Sequence, residues 1–463
     1  MLRLRDSAAE KLASALPRTA ARAAAAAAAA AACYCATLFD TPLRDVSERL
    51  VRLSRVASAV VAAVADEKYT AWASSGGGDK QRAPSLDARQ AERLRALATA
   101  NGFLFLKLGQ YAAAHPNTPA AYRAALSTLL DKNPPRRGLD LPALLAAELR
   151  APFASVFAAI DAEPVACASI AQVHKAWLRD GTPVAVKVQH AELPRIADAD
   201  LAVMEALFLG LHYAYPDTEY MRASWPEWRA TLLRELDFAN EARNAERVAA
   251  HFAGQGAIHV PTVLRAASGA RVMTMEWIDG RTLRELLEAP PAGPAEAAAR
   301  RALGSAAGAF FAQQTLLHGL VHCDPHPANL MVRPRPAAAG GGGALGAWQL
   351  VVIDHGMCKQ LDSAFRRAFC ELWRALLLQD AAGARAATRA RGLRDGDAEA
   401  LSQVLTFRSI KAGGRLGAEK SAAEWAQLKK DWEWVTPAVR RGRGARTPPP
   451  HPALLLTLLA HPS

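Results

Sequence analysis

Two stretches constrain this chain more than anything else in it. One is Leu320-Val321-His322-Cys323-Asp324-Pro325-His326-Pro327-Ala328-Asn329-Leu330-Met331-Val332, and the other is Val351-Val352-Ile353-Asp354-His355-Gly356. The first carries His, Asp and Asn in H-x-D-x-x-x-x-N spacing and runs into a short apolar strand. The second is an apolar strand that ends in Asp-x-Gly. Moving a phosphoryl group off a nucleotide needs a carboxylate at the acceptor, plus an amide and a second carboxylate on the metal ions that bridge the phosphates. Asp324 suits the first role, and Asn329 and Asp354 suit the metal pair. Asp-x-Gly turns are common, so neither stretch decides alone. Together, each beside a strand, they predict a phosphoryl-transfer centre.

The upstream sequence supplies the other parts of such a centre. Pro164 to Ser169 is expected as a small-residue loop between strands, with Ala166, Cys167, Ala168 and Ser169 over the phosphates. Ser169 to Leu178 alternates, Asp180-Gly181 turns the chain, and Val184-Ala185-Val186-Lys187-Val188 forms the next strand. This meander presents Lys187 to the phosphates. A helix is expected from Trp225-Pro226 to about Phe252, holding Glu235, Asp237 and Glu241. Asp237 and Glu241 would stand four apart as like charges, favourable only with cations facing them. Lys187 and Lys107 are the candidates, and a Lys187–Glu241 ion pair is the arrangement by which a kinase positions its phosphate-binding lysine. Met275-Glu276-Trp277-Ile278 reads as a hinge that meets adenine through backbone groups at Glu276 and Ile278. Earlier in the chain, Lys107 and Gln110 lie three apart and project from one helix face. There is no G-x-G-x-x-G before the lysine strand and no A-P-E after Asp354, and little chain is left for the segment on which protein kinases dock a peptide. Protein substrates are therefore disfavoured.

Composition bounds the rest. A chain of 463 residues, 51% hydrophobic and 22% charged, can hold one two-lobed domain or two domains. Its net charge of +12 permits anionic partners, but no zinc-ligand spacing or RNA-binding motif is present, so nucleic acid is not expected. The six cysteines form no C-x-x-C pair. Residues 1–40 are basic and amphipathic at first and then alanine-rich, which predicts an organelle leader or a weak membrane anchor. Residues 41–72 read as a helix with Leu50, Val51, Leu53, Val56, Val60 and Val64 on its apolar face. The helical region to about 150 is followed by a strand-rich lobe, 151–280, and a helical lobe, 281–463. Within the latter, Pro334 to Gly346 reads as a surface insertion and Arg440 to Pro450 as a disordered basic stretch.

These motifs, in this order, resemble the UbiB-like, aarF-domain atypical kinase family over roughly residues 90–460. Its K-x-G-Q hallmark matches Lys107-Leu108-Gly109-Gln110, and its S-I-A-Q-V-H run matches Ser169 to His174. Its V-A-V-K-V-Q-H strand matches Val184 to His190, and its E-x-D motif with a following glutamate matches Glu235, Asp237 and Glu241. Its D-P-H-P-x-N loop matches Asp324 to Asn329. The Asp354-His355-Gly356 variant is similar to a mitochondrial animal branch. Cys167 interrupts the family's all-alanine loop, and Ala328 replaces the usual glycine before Asn329.

The resemblance implies an α+β, two-lobed protein-kinase-like fold with a helical N-terminal extension. It also implies ATP and Mg²⁺ as cofactors, and K-x-G-Q helices that exclude protein substrates, with Lys107 and Gln110 facing Glu235 and Asp237 as a gate. The acceptor would be a small molecule or a lipid, at a membrane surface. The role would be in isoprenoid-quinone or mitochondrial lipid homeostasis, in the mitochondrion or alternatively the chloroplast. Two rivals share parts of the pattern: a small-molecule kinase of the aminoglycoside or choline type, and a non-catalytic nucleotide-gated scaffold on a membrane.

Overall fold

The computed structural model describes residues 43–75, 85–114, 118–130, 139–214, 219–335, 348–393 and 395–406. The leader, most of the Pro334–Gly346 insertion and the basic Pro-rich stretch lie outside the described residues. The chain divides into two compact units: residues up to Ala239 with Val263–Trp277, and Asn240–Thr262 with Ile278 onward.

The first unit opens with helices α1 (Leu43–Ser75), α2 (Leu86–Asn101), α3 (Phe103–Ala114), α4 (Ala120–Ser127), α5 (Leu141–Leu149) and the single-turn α6 (Phe153–Val156). Ser85 caps α2 by accepting from Ala88 N–H, and Asp140 caps α5 by accepting from Ala143 N–H. The antiparallel sheet that follows comprises β1 (Phe157–Ile160), β2 (Ala166–Cys167), β3 (Ala171–Leu178), β4 (Pro183–Gln189) and β6 (Val272–Glu276), in the order β1-β3-β4-β6 with β2 also on β3. One face of this sheet buries Ala176, Val184, Val186 and Val188 against Leu145 of α5 and Phe157, so a helix of the extension completes the core of the strands. Helices α7 (Leu193–Ala214) and α8 (Glu219–Glu235) finish the unit.

The buried face of α1 differs in part from the expected one. Val56 is buried as expected, at 5% exposed, and Leu53 and Val60 are half-buried, but Leu50 and Val51 are 49% and 46% exposed while Arg52 is 3% exposed. The reason is an ion pair that hydropathy cannot see. Arg52 donates from Nε and Nη2 to the two carboxylate oxygens of Asp200 in α7, at 2.6 and 2.7 Å. The helix turns its guanidinium inward and its leucine outward.

The helix expected from Trp225 to Phe252 is also broken. Helix α8 stops at Glu235 and α9 (Phe238–His251) starts at Phe238. Leu236 and Asp237 donate to Leu233 and Arg234, three residues back, which tightens the last turn. Gln189 at the end of β4 then donates to the Leu236 carbonyl at 3.1 Å. Asp237 and Glu241 therefore do not share a continuous helix.

In the second unit, β5 (Ile258–His259), β7 (Arg281–Thr282), β9 (Leu330–Pro334) and β10 (Trp348–Val352) form a sheet ordered β5-β10-β9-β7, and β8 (Leu320–His322) pairs with β11 (Cys358–Gln360). Helices α10 (Leu283–Glu288), α11 (Pro294–Leu316), α12 (Ser363–Leu377), α13 (Ala381–Arg389) and α14 (Asp395–Thr406) supply the rest. The helical spacing of Phe365, Phe369, Leu372 and Leu376 predicts one apolar face on α12. Phe365, Leu372 and Leu376 are buried and Phe369 is half-buried, with Leu372 and Leu376 in a cluster with Ala384, Ala387 and Leu401. Among the described residues no helix is long and apolar enough to cross a membrane.

Candidate functional site

The two motifs that open the sequence argument are joined by one imidazole. His322, 5% exposed, donates from Nε2 to the main-chain carbonyl of Asp354 at 2.7 Å and accepts the Asp324 N–H at Nδ1 at 3.2 Å. Those two partners dictate the neutral Nε2–H tautomer. The rim of the Phe311 ring meets it in a T-shaped contact at 5.6 Å. Nearby, the Asn329 side-chain amide donates to both the carbonyl and Oδ2 of Asp324 at 3.2 Å, and Ile353 N–H donates to the Asn329 carbonyl at 3.0 Å. Asp354 Oδ1 accepts Gly356 N–H at 3.1 Å. Five hydrogen bonds thus bring Asp324, Asn329 and Asp354 together. His322 was read only as part of a spacing; its position two residues before Asp324 was the signal for its bridging role.

The donor set suits a hard divalent cation. With its NH₂ held by Asp324, Asn329 could offer its Oδ1 to such an ion and Asp354 could add a carboxylate; oxygen donors are what Mg²⁺ takes. Glu241, 2% exposed in the first turn of α9, adds a further negative charge. Its Oε2 lies 3.7 Å, and Asp354 Oδ1 3.5 Å, from where a Cβ on Gly356 would stand. One turn on, Asn244 donates to the His355 carbonyl at 3.1 Å and ties α9 to this turn, a contact with no signal in the sequence. Burial pushes the Cys358 thiol well above its ordinary range, with Cys323, Asp354 and Glu241 adding to the effect, so it stays an unreactive core thiol.

In the first unit, Lys187 is 9% exposed at the centre of the sheet, directly opposite Val173 on β3 and Met273 on β6. Directly opposite residues share a sheet face, so these three side chains do. The Lys187 ammonium stands 5.2 Å from the centroid of the Phe238 ring. The phosphate loop is less open than expected. Ala166 and Cys167 form β2, and Ala168 N–H donates to the Ala171 carbonyl at 2.8 Å. Ala168 therefore closes a turn rather than offering its N–H to a phosphate, while Ser169 is 6% exposed just beyond it. Glu276 ends β6 opposite Val184, and Ile278, the first residue of the second unit's later segment, is buried.

The K-x-G-Q residues each have a separate task. Lys107 pairs with Glu235 at 3.2 Å, with side chains 15% and 4% exposed, and its ammonium lies 5.3 Å from the Tyr111 ring centroid. The Tyr111 hydroxyl also donates to Glu235, a role that sequence reading missed. Gln110 turns elsewhere, donating to the Leu129 carbonyl at 3.0 Å. A Cβ on Gly109 would come within 2.6 Å of Leu129 Cδ1, so the end of that leucine would have to shift to admit one. Asp237 is exposed at the break between α8 and α9. Lys107 is therefore not a solvated surface lysine. Lys107→Ala is expected to destabilise the protein by about 3 kcal/mol, the lower end for breaking a buried pair, because Tyr111 still serves Glu235. Urea unfolding checks this, and a change within about 0.5 kcal/mol would return Lys107 to the surface.

Comparison with known proteins agrees with this geometry. Residues 128–388, more than half the chain, match the ABC1 atypical kinase-like domain. The chain is 34% identical over 308 residues to AarF domain-containing protein kinase 1 of Mus musculus, covering 65% of this chain and 56% of that protein. It is 31% identical over 343 residues to AarF domain-containing kinase 1 of Drosophila melanogaster, covering 72% of this chain and 62% of that one. It thus spans somewhat over half the length of the curated relatives it matches. Among solved structures, the Rv3197–erythromycin complex from Mycobacterium tuberculosis is similar at 21% identity and a TM-score of 0.43, covering 78% of this chain and 86% of that one. By the domain that it matches and the motifs set out within it, the chain is an α+β protein of kinase-like fold and belongs to the ABC1, or aarF-domain, family of atypical kinases.

Proposed function

We propose that this protein is a Mg²⁺–ATP-dependent atypical kinase or ATPase that acts on a small-molecule or lipid acceptor. What supports the reading most is the His322 ring, which holds the Asp324 backbone and the Asp354 carbonyl in one arrangement. Such fixed placement is what phosphoryl transfer asks of a protein, since positioning and charge do most of the work. Mg²⁺–ATP, when bound, supplies the phosphoryl group and neutralises its developing charge. Lys187 is the phosphate-binding cation, Asn329 and Asp354 hold the metal, and Asp324 orients or deprotonates the acceptor hydroxyl. Glu276 and Ile278 meet the base through backbone groups, and Ala166 to Ser169 shape the phosphate end. After Gly356 the chain makes only the short strand β11 before Asp362 caps α12, accepting from Ala364 and Phe365 N–H at 2.9 and 2.8 Å. A peptide-docking segment has no room there, which favours a small acceptor over a protein.

The test is ATP-dependent thermal stabilisation with Mg²⁺, together with phosphate release with and without lipid vesicles and phenolic quinone-precursor mimics. The wild type should gain melting temperature with ATP and Lys187→Ala should lose most of that gain. Equal shifts for the two would overturn the assignment of Lys187. Stabilisation with no phosphate release under any condition would favour the nucleotide-gated scaffold instead.

The proposed setting is the mitochondrion, or the plastid, in support of isoprenoid-quinone or lipid homeostasis. Its motivation is the basic amphipathic pattern of residues 1–40. A fluorescent protein fused to that segment should enter the organelle; a purely cytosolic fusion would refute the claim.

A further inference from the structure

We propose that His190 is a positioning residue for the phosphate loop and couples that loop to the helix carrying Lys107. The inference rests on the reading of Ala166–Ser169 as the phosphate loop. His190 is the residue after β4, three beyond Lys187, and is 4% exposed. Its backbone N–H donates to the Ile170 carbonyl at 3.0 Å, and its ring Nε2 reaches the Ala168 carbonyl at 3.2 Å. A carbonyl only accepts, so the ring is held with its proton on Nε2. His190 therefore grips both sides of the Ala168–Ala171 turn, once through main chain and once through side chain. The turn is closed by its own bond, Ala168 N–H to the Ala171 carbonyl, and both carbonyls that His190 holds lie within it.

The opposite side of the imidazole meets a second element. The Phe103 ring stands against it in a T-shaped contact, centroids 5.8 Å apart. Phe103 is the first residue of α3, the helix of Lys107, Gly109 and Gln110, and its φ of +46° lies in the left-handed region. An aromatic residue rarely adopts that backbone without something to hold it there. Here the ring contacts both His190 and the Arg52 guanidinium, which stands 5.9 Å from its centroid. Arg52 is itself fixed by Asp200. A continuous series of packed groups thus runs from α1 through the start of α3 to the Ala168 carbonyl. A shift of the K-x-G-Q helix changes the loop through one aromatic contact and one hydrogen bond.

The experiment compares His190→Phe, which keeps a ring edge for Phe103 and removes the donor, with His190→Gln, whose amide keeps a donor. Two quantities are read: ATP affinity with Mg²⁺, and hydrogen–deuterium exchange of the 165–172 peptide in nucleotide-free protein. The Phe variant should weaken ATP binding about three- to tenfold, the size of one hydrogen bond, and speed exchange in that peptide. The Gln variant should restore both. Phe103→Leu should speed exchange in the same peptide, more than sixty positions away in sequence. Wild-type exchange at 165–172 in His190→Phe would overturn the positioning role, and wild-type exchange there in Phe103→Leu would overturn the coupling. A merely structural residue would instead speed exchange throughout β3 and β4 alike and would not be rescued by glutamine. Because exchange is read without nucleotide, failure of the wild type to bind ATP would sink the proposed function and still leave this inference decided.

Discussion

Asp354→Asn is expected to weaken Mg²⁺-dependent nucleotide binding by about 100-fold, close to 3 kcal/mol, since a full charge next to a divalent cation is lost. The variant isolates that charge. The bond from His322 runs to the Asp354 main-chain carbonyl, and the Gly356 N–H can be accepted by the amide oxygen, so the turn keeps its shape. Asn329→Ala removes a neutral ligand and should cost about tenfold. It also releases two hydrogen bonds to Asp324, so its effect on any turnover should exceed its effect on binding. Calorimetric titration of ATP across a series of Mg²⁺ concentrations separates the two. If neither variant changes the Mg²⁺ requirement, the metal pair has been misassigned.

Arg52→Ala should be among the most destabilising single substitutions in the first unit, at about 3–5 kcal/mol near pH 8, because it strands the fully buried carboxylate of Asp200. Burial pushes the Asp200 carboxyl up to about 6, against the pull of Arg52 in the other direction. The sign follows directly. A carboxyl whose folded value exceeds its unfolded value of about 3.9 binds its proton more tightly when folded, so stability falls as pH rises from about 4 to about 6. Without Arg52 the folded value rises further, and the penalty is largest where Asp200 must ionise. The stability gap between wild type and Arg52→Ala should therefore shrink as pH drops from 8 to 5. Equal gaps at both pH values, by urea unfolding, would show that Asp200 is not the group left exposed to the loss. The consequence for function is that the helical extension is pinned by charge, and Arg52 also holds the Phe103 ring at the head of the K-x-G-Q helix.

Much of the site was legible because its chemistry is local. Asp324 and Asn329 stand five apart on one loop, and Asp354 lies two residues past β10, which pairs antiparallel with β9, so spacing and strand order bring them together. Lys187 lies within an apolar strand, β4, whose partner β3 is its sequence neighbour through Asp180-Gly181, whereas its other partner, β6, comes from far along the chain. Helix α12 shows its buried face in its period. The amphipathic reading of α1 held at Val56 but missed at Leu50 and Val51, because hydropathy scores Arg52 as outward-facing whatever lies across from it. The partner is Asp200, 148 residues away, and no pattern within α1 encodes it.

The same division separates what the chain determines by itself from what only tertiary structure decides. The order and spacing of Lys107, Lys187, Glu235, Glu241, Asp324, Asn329 and Asp354 are properties of the sequence, and they suffice for the family. Where a polar side chain finds its partner is not. The link of His322 to Asp354, the clasp of Tyr111 and Lys107 on Glu235, and the break at Leu236 held by Gln189 each join residues 32 or more positions apart. Helical and strand periods are set by the backbone and repeat along the chain. A buried hydrogen bond or ion pair is worth its desolvation only when a specific partner arrives from elsewhere, and that arrival is a fact of packing alone.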